Sequence, residues 1–281
     1  MKKLLLLLML TCNLHAEPIE FVVAGSAGGS DDMTSRTLVS VIESASDLKF
    51  IIVNKPGAAH NIGYAYMKTT NKPSLMVASD AIIKNKVNSK EGYPDGIVDV
   101  IDPIFLLGNF SNIVFVSAKS NIKTIDDLIQ LSKERDIKFG HGGVGTYSYE
   151  SLSKLCDDTI KCLAVPYKSG ANALMDLMNN TIDVYAYVSN GADVYIENRG
   201  LRPIMMFSNN KHSSFDVPLL SKKMKKLEIK NWLMLFGRNL TDKQVETITN
   251  VLKKKSPTFY TDMGLWYEFD DVKTIWKNNV Q

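Results

Sequence analysis

The sequence predicts an α/β fold of two lobes, each with a largely parallel β-sheet covered by helices. Short apolar runs, typical of strands buried on both sides, alternate along the chain with segments of helical periodicity. This strand–helix order indicates crossover connections and hence parallel strands. The second half of the chain repeats the pattern of the first, and 281 residues are enough for two separate cores.

The first half of the chain is predicted to alternate three strands with two helices. The predicted strands are 19–24, 50–53 and 74–78, and the predicted helices are 33–42 and 61–67. In the first helix, Met33, Leu38 and Ile42 recur at helical spacing, which indicates one apolar face packed against a sheet.

The second half continues the alternation. Its predicted strands are 113–116, 137–139, 161–165, 182–188 and 232–236, and its predicted helices include 147–155 and 171–178. Thr124 and Thr241 are expected N-caps of two further helices, and Gln244 follows Thr241 at the spacing of a capping box. We expect a first lobe of residues 17–112 with 237–281, and a second lobe of residues 113–236.

Residues 1–16 are expected to be a secretory signal peptide. Lys2 and Lys3 precede an apolar run too short to span a bilayer, which takes about 20 residues, and Ala16 ends a plausible cleavage site. A lipid anchor on Cys12 is a less favoured alternative. Removal of the two lysines lowers the formal charge from +3 to +1, so nucleic acid is not an expected partner.

Cys156 and Cys162 are the cysteines that follow the predicted signal peptide. In an oxidising compartment, a pair separated by five residues is predicted to form a local disulfide. A metal site is not expected there, because two thiols without nearby histidine or acidic ligands form an incomplete set.

Three glycine-rich turns follow strands at the carboxyl ends of the predicted sheets, where open α/β sheets bind ligands. They are 27–32, 54–63 and 141–146. Glycine lets backbone approach a ligand closely, and helix N-termini offer unpaired N–H groups that attract anions. The turns therefore predict a carboxylate site that needs neither lysine nor arginine. The turn at 140–145 lacks a Walker ending, so neither a nucleotide nor another cofactor is expected.

These turns resemble sequence blocks of the solute-binding receptors of tripartite tricarboxylate transporters, the Bug family. The block 28–32 followed by Arg36 is similar to the family's Gly-Gly-x-x-Asp…Arg block, and 53–63 is similar to its Asn-x-Pro-Gly-Ala block. Weaker likeness occurs at 143–146 and 165–168, and the whole resemblance covers about 19–236. Ala59 and His60 depart from the small residues usual in the family.

The resemblance implies a type II periplasmic-binding-protein (Venus flytrap) fold that binds a small carboxylate between its lobes. The ligand would be a dicarboxylate, a tricarboxylate, an acidic amino acid or an aromatic acid, and the partner an inner-membrane permease. A periplasmic monomer without catalytic or metal-binding residues is implied. The expected ligand-binding residues are Ala27, Gly28, Gly29, Ser30, Asp32, Gly57, Ala58, Ala59, His60, Asn61, Ser79, Gly143, Gly145, Thr146 and Asp183.

Several of these residues have a structural interpretation as well. Asp32 is expected to stabilise a helix N-terminus and to pair with Arg36 four residues on. His60 and His141 could be ordinary hydrogen-bonded histidines rather than ligand contacts. Three tyrosines are expected mainly in the core or hinge: Tyr167, Tyr185 and Tyr187.

Three other functions are alternatives to the receptor interpretation. A binding protein of an ABC transporter and a periplasmic sensor subunit would share the fold. A secreted hydrolase is the remote alternative, because the chain has no Gly-x-Ser-x-Gly motif. The sequence does not name the ligand.

Overall fold

The computed structural model describes residues 17–88, 93–189, 192, 195–196, 200–209, 211, 216–229, 231–263, 265 and 272–280. The predicted signal peptide, including Cys12, lies outside these residues. None of the helices found in these ranges is both long and apolar enough to cross a membrane.

Every predicted strand and helix is present, while strands Asp102–Phe110 and Leu201–Met206 and helices Ala81–Asn88, Pro257–Asp262 and Val272–Val280 were not predicted. The strands are β1 (Ile19–Val23), β2 (Phe50–Asn54), β3 (Ser74–Ser79), β4 (Asp102–Phe110), β5 (Asn112–Ser117), β6 (Ile137–His141), β7 (Cys162–Pro166), β8 (Val184–Val188), β9 (Leu201–Met206) and β10 (Asn231–Arg238). The α-helices are α1 (Ser30–Ser44), α2 (Asn61–Thr69), α3 (Ala81–Asn88), α4 (Ile125–Leu131), α5 (Tyr147–Asp158), α6 (Gly170–Met178), α7 (Asp242–Lys253), α8 (Pro257–Asp262) and α9 (Val272–Val280). Short 3₁₀ helices occur at Ala58–His60, Ile97–Asp99 and Lys222–Leu227.

Helix starts follow local rules. Thr124 and Thr241 cap α4 and α7, and each forms a capping box with the residue three positions on, Asp127 and Gln244 respectively. These caps satisfy backbone N–H groups that a helix N-terminus would otherwise leave unpaired. Both predicted N-caps are confirmed.

The strands form two five-stranded sheets, one in each lobe. The first has the order β2-β1-β3-β10-β4, with β1 parallel to β2 and β3, and β10 antiparallel to its two neighbours. The second has the order β7-β6-β8-β5-β9, with β6 parallel to β7 and β8, and β5 antiparallel to its neighbours. The predicted two-lobed α/β fold is confirmed, but each sheet is mixed rather than largely parallel, because two of its four strand pairings are antiparallel.

Strand β10 corrects the predicted lobe boundary. Residues 232–236 were expected to end the second lobe, but β10 pairs with β3 and β4 of the first sheet. All residues of β10 except its last are buried, as in a strand covered on both faces. A fully apolar strand suits the centre of either sheet, so its sequence does not specify which one it joins.

The chain passes between the sheets at Ser111, the single residue that separates β4 from β5, and returns before β10. The Ser111 hydroxyl donates to the carbonyl of Ile229 on the returning segment, 2.9 Å away. The backbone N–H of Ser189 donates to the Ser111 carbonyl at 2.8 Å. The bond between Ser111 and Ile229 therefore joins the two crossings side by side.

Each sheet has apolar side chains on both faces. In the first lobe, α1 packs Leu38 and Ile42 against one face, and α2 packs Tyr64 and Met67 against the other. In the second lobe, α4 and α5 supply Leu128 and Leu152 to one core. A further cluster forms around the buried residues of α6.

The predicted disulfide between Cys156 and Cys162 is confirmed. It joins the last turn of α5 to the first residue of β7. The cross-link therefore ties the C-terminal end of α5 to the start of the strand that follows it, within the second lobe.

Candidate functional site

A cavity of about 530 Å³ lies between the lobes, at the carboxyl ends of the parallel strands. The first lobe contributes the turns after β1 and β2 and the end of β3. The second contributes the start of α5, the loop after β7 and the end of β8. The predicted residues that line it are Ala27, Gly28, Gly29, Ser30, Gly57, Ala58, Ala59, His60, Ser79 and Thr146. These residues come from all three predicted turns and from the end of β3.

The first turn, between β1 and α1, is held by the buried carboxylate of Asp32. This carboxylate accepts hydrogen bonds from the Gly28 backbone N–H at 2.9 Å, from Arg36 Nε at 2.8 Å and from Asn54 Nδ2 at 3.0 Å. Burial opposes the charge of Asp32, but these bonds outweigh it and hold its pKa below the ordinary value. The buried carboxylate of Asp32 therefore holds the backbone of this turn in place and does not itself line the cavity.

Two expectations about this turn are corrected. Asp32 does not line the cavity, and its bond to Gly28 occupies an N–H that was expected to hold a ligand. The N–H of Gly29 is occupied as well, because it donates to the Ser26 carbonyl at 3.0 Å. The remaining donors at this end of α1 are the backbone N–H groups of its first turn, which begins at Ser30. These N–H groups have no partners within the helix.

The second turn, between β2 and α2, has four consecutive residues with positive φ. The angles are 123° at Gly57, 46° at Ala58, 48° at Ala59 and 76° at His60. Only a few per cent of non-glycine residues have positive φ, and such strained positions occur preferentially at functional sites. Asn61, the first residue of α2, is fully buried and does not line the cavity, contrary to expectation.

His60 forms an ion pair with Asp31 at the cavity wall. His60 Nε2 lies 3.3 Å from Asp31 Oδ2, and the exposed fractions of the two side chains are 28% and 25%. The imidazole also stacks against Tyr64, with 6.2 Å between ring centroids. Burial opposes the charge of His60, but the hydrogen bond and charge of Asp31 outweigh it and raise the pKa of His60 above its ordinary value.

The third turn, between β6 and α5, brings only part of its predicted set to the cavity. Thr146 caps α5 and lines the cavity, while Gly143 and Gly145 adopt positive φ and lie outside the lining. His141 is buried away from the cavity, and its Nδ1 accepts the Gly143 N–H at 3.0 Å. Burial lowers the pKa of His141. The hydrogen-bonded interpretation of His141 is the correct one.

Asp183 is not part of the site. Its carboxylate pairs with both terminal nitrogens of Arg135 at 2.7 Å and also accepts the Lys138 N–H at 2.9 Å. Asp183 directly precedes β8, which is parallel to β6, so it lies at the amino end of these strands. The cavity lies at the carboxyl ends of these strands. Asp183 was expected to bind the ligand, but it lies at the opposite end of the sheet.

Sequence reasoning missed many lining residues, five of which are tyrosines. Tyr185 and Tyr187 were expected mainly in the core or hinge, but both line the cavity near the end of β8, together with Tyr195. Burial raises the pKa of Tyr185 to about 12, so its hydroxyl stays neutral. The alternation of strand residues could have placed Tyr185 and Tyr187 on one face of β8.

Tyr147, the first residue of α5, lines the cavity and reaches into the first lobe. Its hydroxyl donates to Asp80 Oδ1 and accepts the Ala81 N–H at 3.2 Å. Lys84 Nζ lies 2.5 Å from the other Asp80 oxygen. Burial raises the pKa of Asp80 in spite of these partners. Tyr147 directly follows a predicted turn, and this position was the signal that could have identified it.

Within the ranges that the structure describes, no group of three or more histidine, cysteine, aspartate or glutamate side chains could hold a metal ion.

Comparison with known proteins decides the family. The profile described as "Tripartite tricarboxylate transporter family receptor" matches residues 40–262. The chain belongs to this family. The resemblance inferred from the glycine turns is thereby confirmed, and the family consists of solute-binding receptors.

Proteins similar to this chain in sequence or in fold share little sequence identity with it. Protein BugT of Bordetella pertussis is 22% identical over 216 residues, which are 74% of this chain and 66% of the relative. The chain therefore spans slightly less than two thirds of that relative's length. A solved structure of the periplasmic binding protein BugD has a TM-score of 0.80 at 19% identity, covering 94% of each chain. MatC from Rhodopseudomonas palustris with bound malate has a TM-score of 0.73 at 17% identity, covering 95% of this receptor and all of MatC.

Proposed function

We propose that this receptor is periplasmic, captures a small organic carboxylate between its lobes and delivers it to a membrane permease of the tripartite tricarboxylate type. The observation that carries the proposal is the cavity at the carboxyl ends of both sheets, lined by turns of both lobes. The malate bound in MatC, a protein of similar fold, supports a carboxylate as the ligand class.

The cavity wall contains several groups suited to hold a carboxylate. The first turns of α1 and α5 carry the partial positive charge of helix N-termini and face a shared cavity. His60, whose pKa is raised by Asp31, adds a positive charge beside the second turn when it is protonated. Tyrosine and serine hydroxyls supply neutral donors. A ligand enclosed by both lobes loses contact with water, which strengthens each of these hydrogen bonds.

Capture would favour the arrangement in which the lobes are together. A ligand that contacts residues of both lobes binds this arrangement more tightly than an open one, and it shifts the population accordingly. The joined surface of the two lobes would then differ between the empty and loaded receptor, which allows a permease to distinguish them. We propose capture without turnover, so that the ligand leaves chemically unchanged.

A thermal-unfolding screen of the chain from Glu17 onward against organic acids at neutral pH tests the proposal. A ligand at 100 times its dissociation constant stabilises the folded state by about 2.7 kcal/mol. An acid that raises the unfolding temperature and is recovered unchanged would support the receptor function. Stabilisation by sugars or nucleotides alone would contradict the carboxylate assignment.

Two variants connect the binding to the cavity. Ala58→Phe places a large side chain in the second turn, and we expect it to abolish the shift. Ala45→Phe is the matched control, because Ala45 is exposed at the C-terminal end of α1 and does not line the cavity. Equal loss of the shift in both variants would argue against binding at this cavity.

A further inference from the structure

Asp31 provides a negative charge on the wall of a cavity proposed to bind an acid. It lies in the first turn of α1, lines the cavity and keeps a quarter of its side chain exposed. Among the described lining residues, the others that can carry charge near neutral pH are His60 and the exposed Lys168. An unaccompanied ligand carboxylate beside Asp31 would be repelled.

The two neighbouring acids at this helix start have different surroundings. Asp32 is buried, and Gly28, Arg36 and Asn54 donate hydrogen bonds to it. Asp31 has one contact, from His60 to Oδ2, and its Oδ1 has no hydrogen-bond partner among the described residues. Asp31 is therefore not required to hold the turn and has capacity for a further donor.

When His60 is protonated, the Asp31–His60 pair presents opposite charges side by side toward the cavity. Their closest atoms are 3.3 Å apart. An α-amino acid also carries opposite charges on neighbouring groups, its ammonium and its carboxylate. The ammonium can donate to Asp31, and the carboxylate can accept from His60 and from the N–H groups at the helix start. Hydrogen bonds between charged groups of this kind are about twice as strong as neutral ones.

We propose that Asp31 selects ligands that carry an ammonium group beside their carboxylate, so that this receptor binds amino acids in preference to simple organic acids. The inference rests on the proposed receptor function and names its ligand class. Asp31 acts as the counter-charge of the ligand's ammonium. A ligand without an ammonium group would place its own carboxylate beside the carboxylate of Asp31.

Matched pairs of acids test the inference by titration calorimetry on the chain from Glu17 onward. The pairs are L-aspartate with succinate, L-glutamate with glutarate, and L-phenylalanine with 3-phenylpropanoate. In at least one pair we expect the amino acid to bind about tenfold more tightly, or better, than its partner. Equal or tighter binding of the partner in every pair that binds would overturn the inference and leave the proposed function intact. If no acid bound at all, the proposed function would fail and the inference with it.

The variant Asp31→Asn separates selection from a structural role. We expect it to weaken binding of the amino acid at least about tenfold and to leave its partner acid bound equally or more tightly. Asp126→Asn is the matched control, because Asp126 also lies in the first turn of a helix, α4, and is not at the cavity. An equal effect of Asp31→Asn on both members of a pair would show that Asp31 only holds the wall, and would overturn the inference.

Discussion

The hydroxyl of Tyr147, from the second lobe, donates a 2.6 Å hydrogen bond to the carboxylate of Asp80 in the first lobe. The tyrosine ring packs edge-on against Phe110, with 5.1 Å between ring centroids. Asp80 and the ring of Phe110 are both buried. One side chain thus lines the cavity and also connects the lobes.

Removal of this hydroxyl should weaken ligand binding. Tyr147→Phe keeps the ring but leaves Asp80 Oδ1 buried without its donor, at a cost of about 1–3 kcal/mol to the joined arrangement of the lobes. Ligand affinity, measured by calorimetry, should fall because less of the free receptor occupies the binding-competent arrangement. Tyr167→Phe is the control: its hydroxyl donates to Asp176 at 2.7 Å within the second lobe. A larger loss of affinity in Tyr167→Phe would contradict this role of Tyr147.

The His60–Asp31 pair should stabilise the fold in acid and not in alkali. Because the folded-state pKa of His60 is raised, its contribution is fully present below about pH 6.5 and is lost as pH rises through the folded-state value. For a partly exposed pair the contribution is about 1 kcal/mol or less. Urea unfolding of the wild type and of His60→Asn should differ more at pH 5.5 than at pH 8.5.

The comparison between these two proteins is needed because His141 has the opposite dependence. Burial lowers its pKa, so its contribution to stability falls as pH drops through the ordinary value near 6.5. This effect is common to the wild type and His60→Asn and cancels in the difference. A difference that grows with pH would contradict the assigned pair.

The disulfide should stabilise the second lobe. It closes a short loop between residues six positions apart, for which chain entropy predicts about 2 kcal/mol. We expect the double variant Cys156→Ser, Cys162→Ser to lose about this much free energy of unfolding in urea. Dithiothreitol should lower the stability of the wild type toward that of the variant and leave the variant unchanged. Equal sensitivity of both proteins to the reductant would contradict the prediction.

Substitution of Asp183 should spare ligand binding. Asp183→Asn weakens the pair with Arg135, whose side chain is nearly half exposed, so the stability loss should be about 1 kcal/mol or less. The dissociation constant of the ligand should stay the same, because Asp183 lies at the amino ends of the strands, away from the cavity. A large loss of affinity without a loss of stability would reinstate Asp183 as a binding residue.

The parts of this structure that the sequence predicted well are governed by local rules. Glycine-rich turns, N-caps and apolar strand runs each depend on a few consecutive residues, so the three turns at the cavity and the caps at Thr124 and Thr241 could be located. The disulfide also joins neighbours in sequence. Each of these features depends on residues that are close together in the sequence.

The errors concern relationships between distant segments. The apolar sequence of β10 contains no feature that indicates which of the two sheets it joins. The N–H of Gly28 was expected to be free because its partner, Asp32, was interpreted as a helix-end charge. Tyr185 and Tyr187 resemble core residues in sequence. They line a cavity only because the other lobe lies opposite them.

The hydrogen bond between Ser111 and Ile229 also suggests an axis about which the lobes would rotate. Since one residue separates β4 from β5, and the returning segment is bonded to it, both crossings must bend about nearly the same line. Rotation about that line leaves nearby atoms, such as those of Phe110 at the cavity wall, almost stationary. If the lobes rotate about that line, the rim farthest from Ser111 travels most, and we expect solutes to enter and leave on that side.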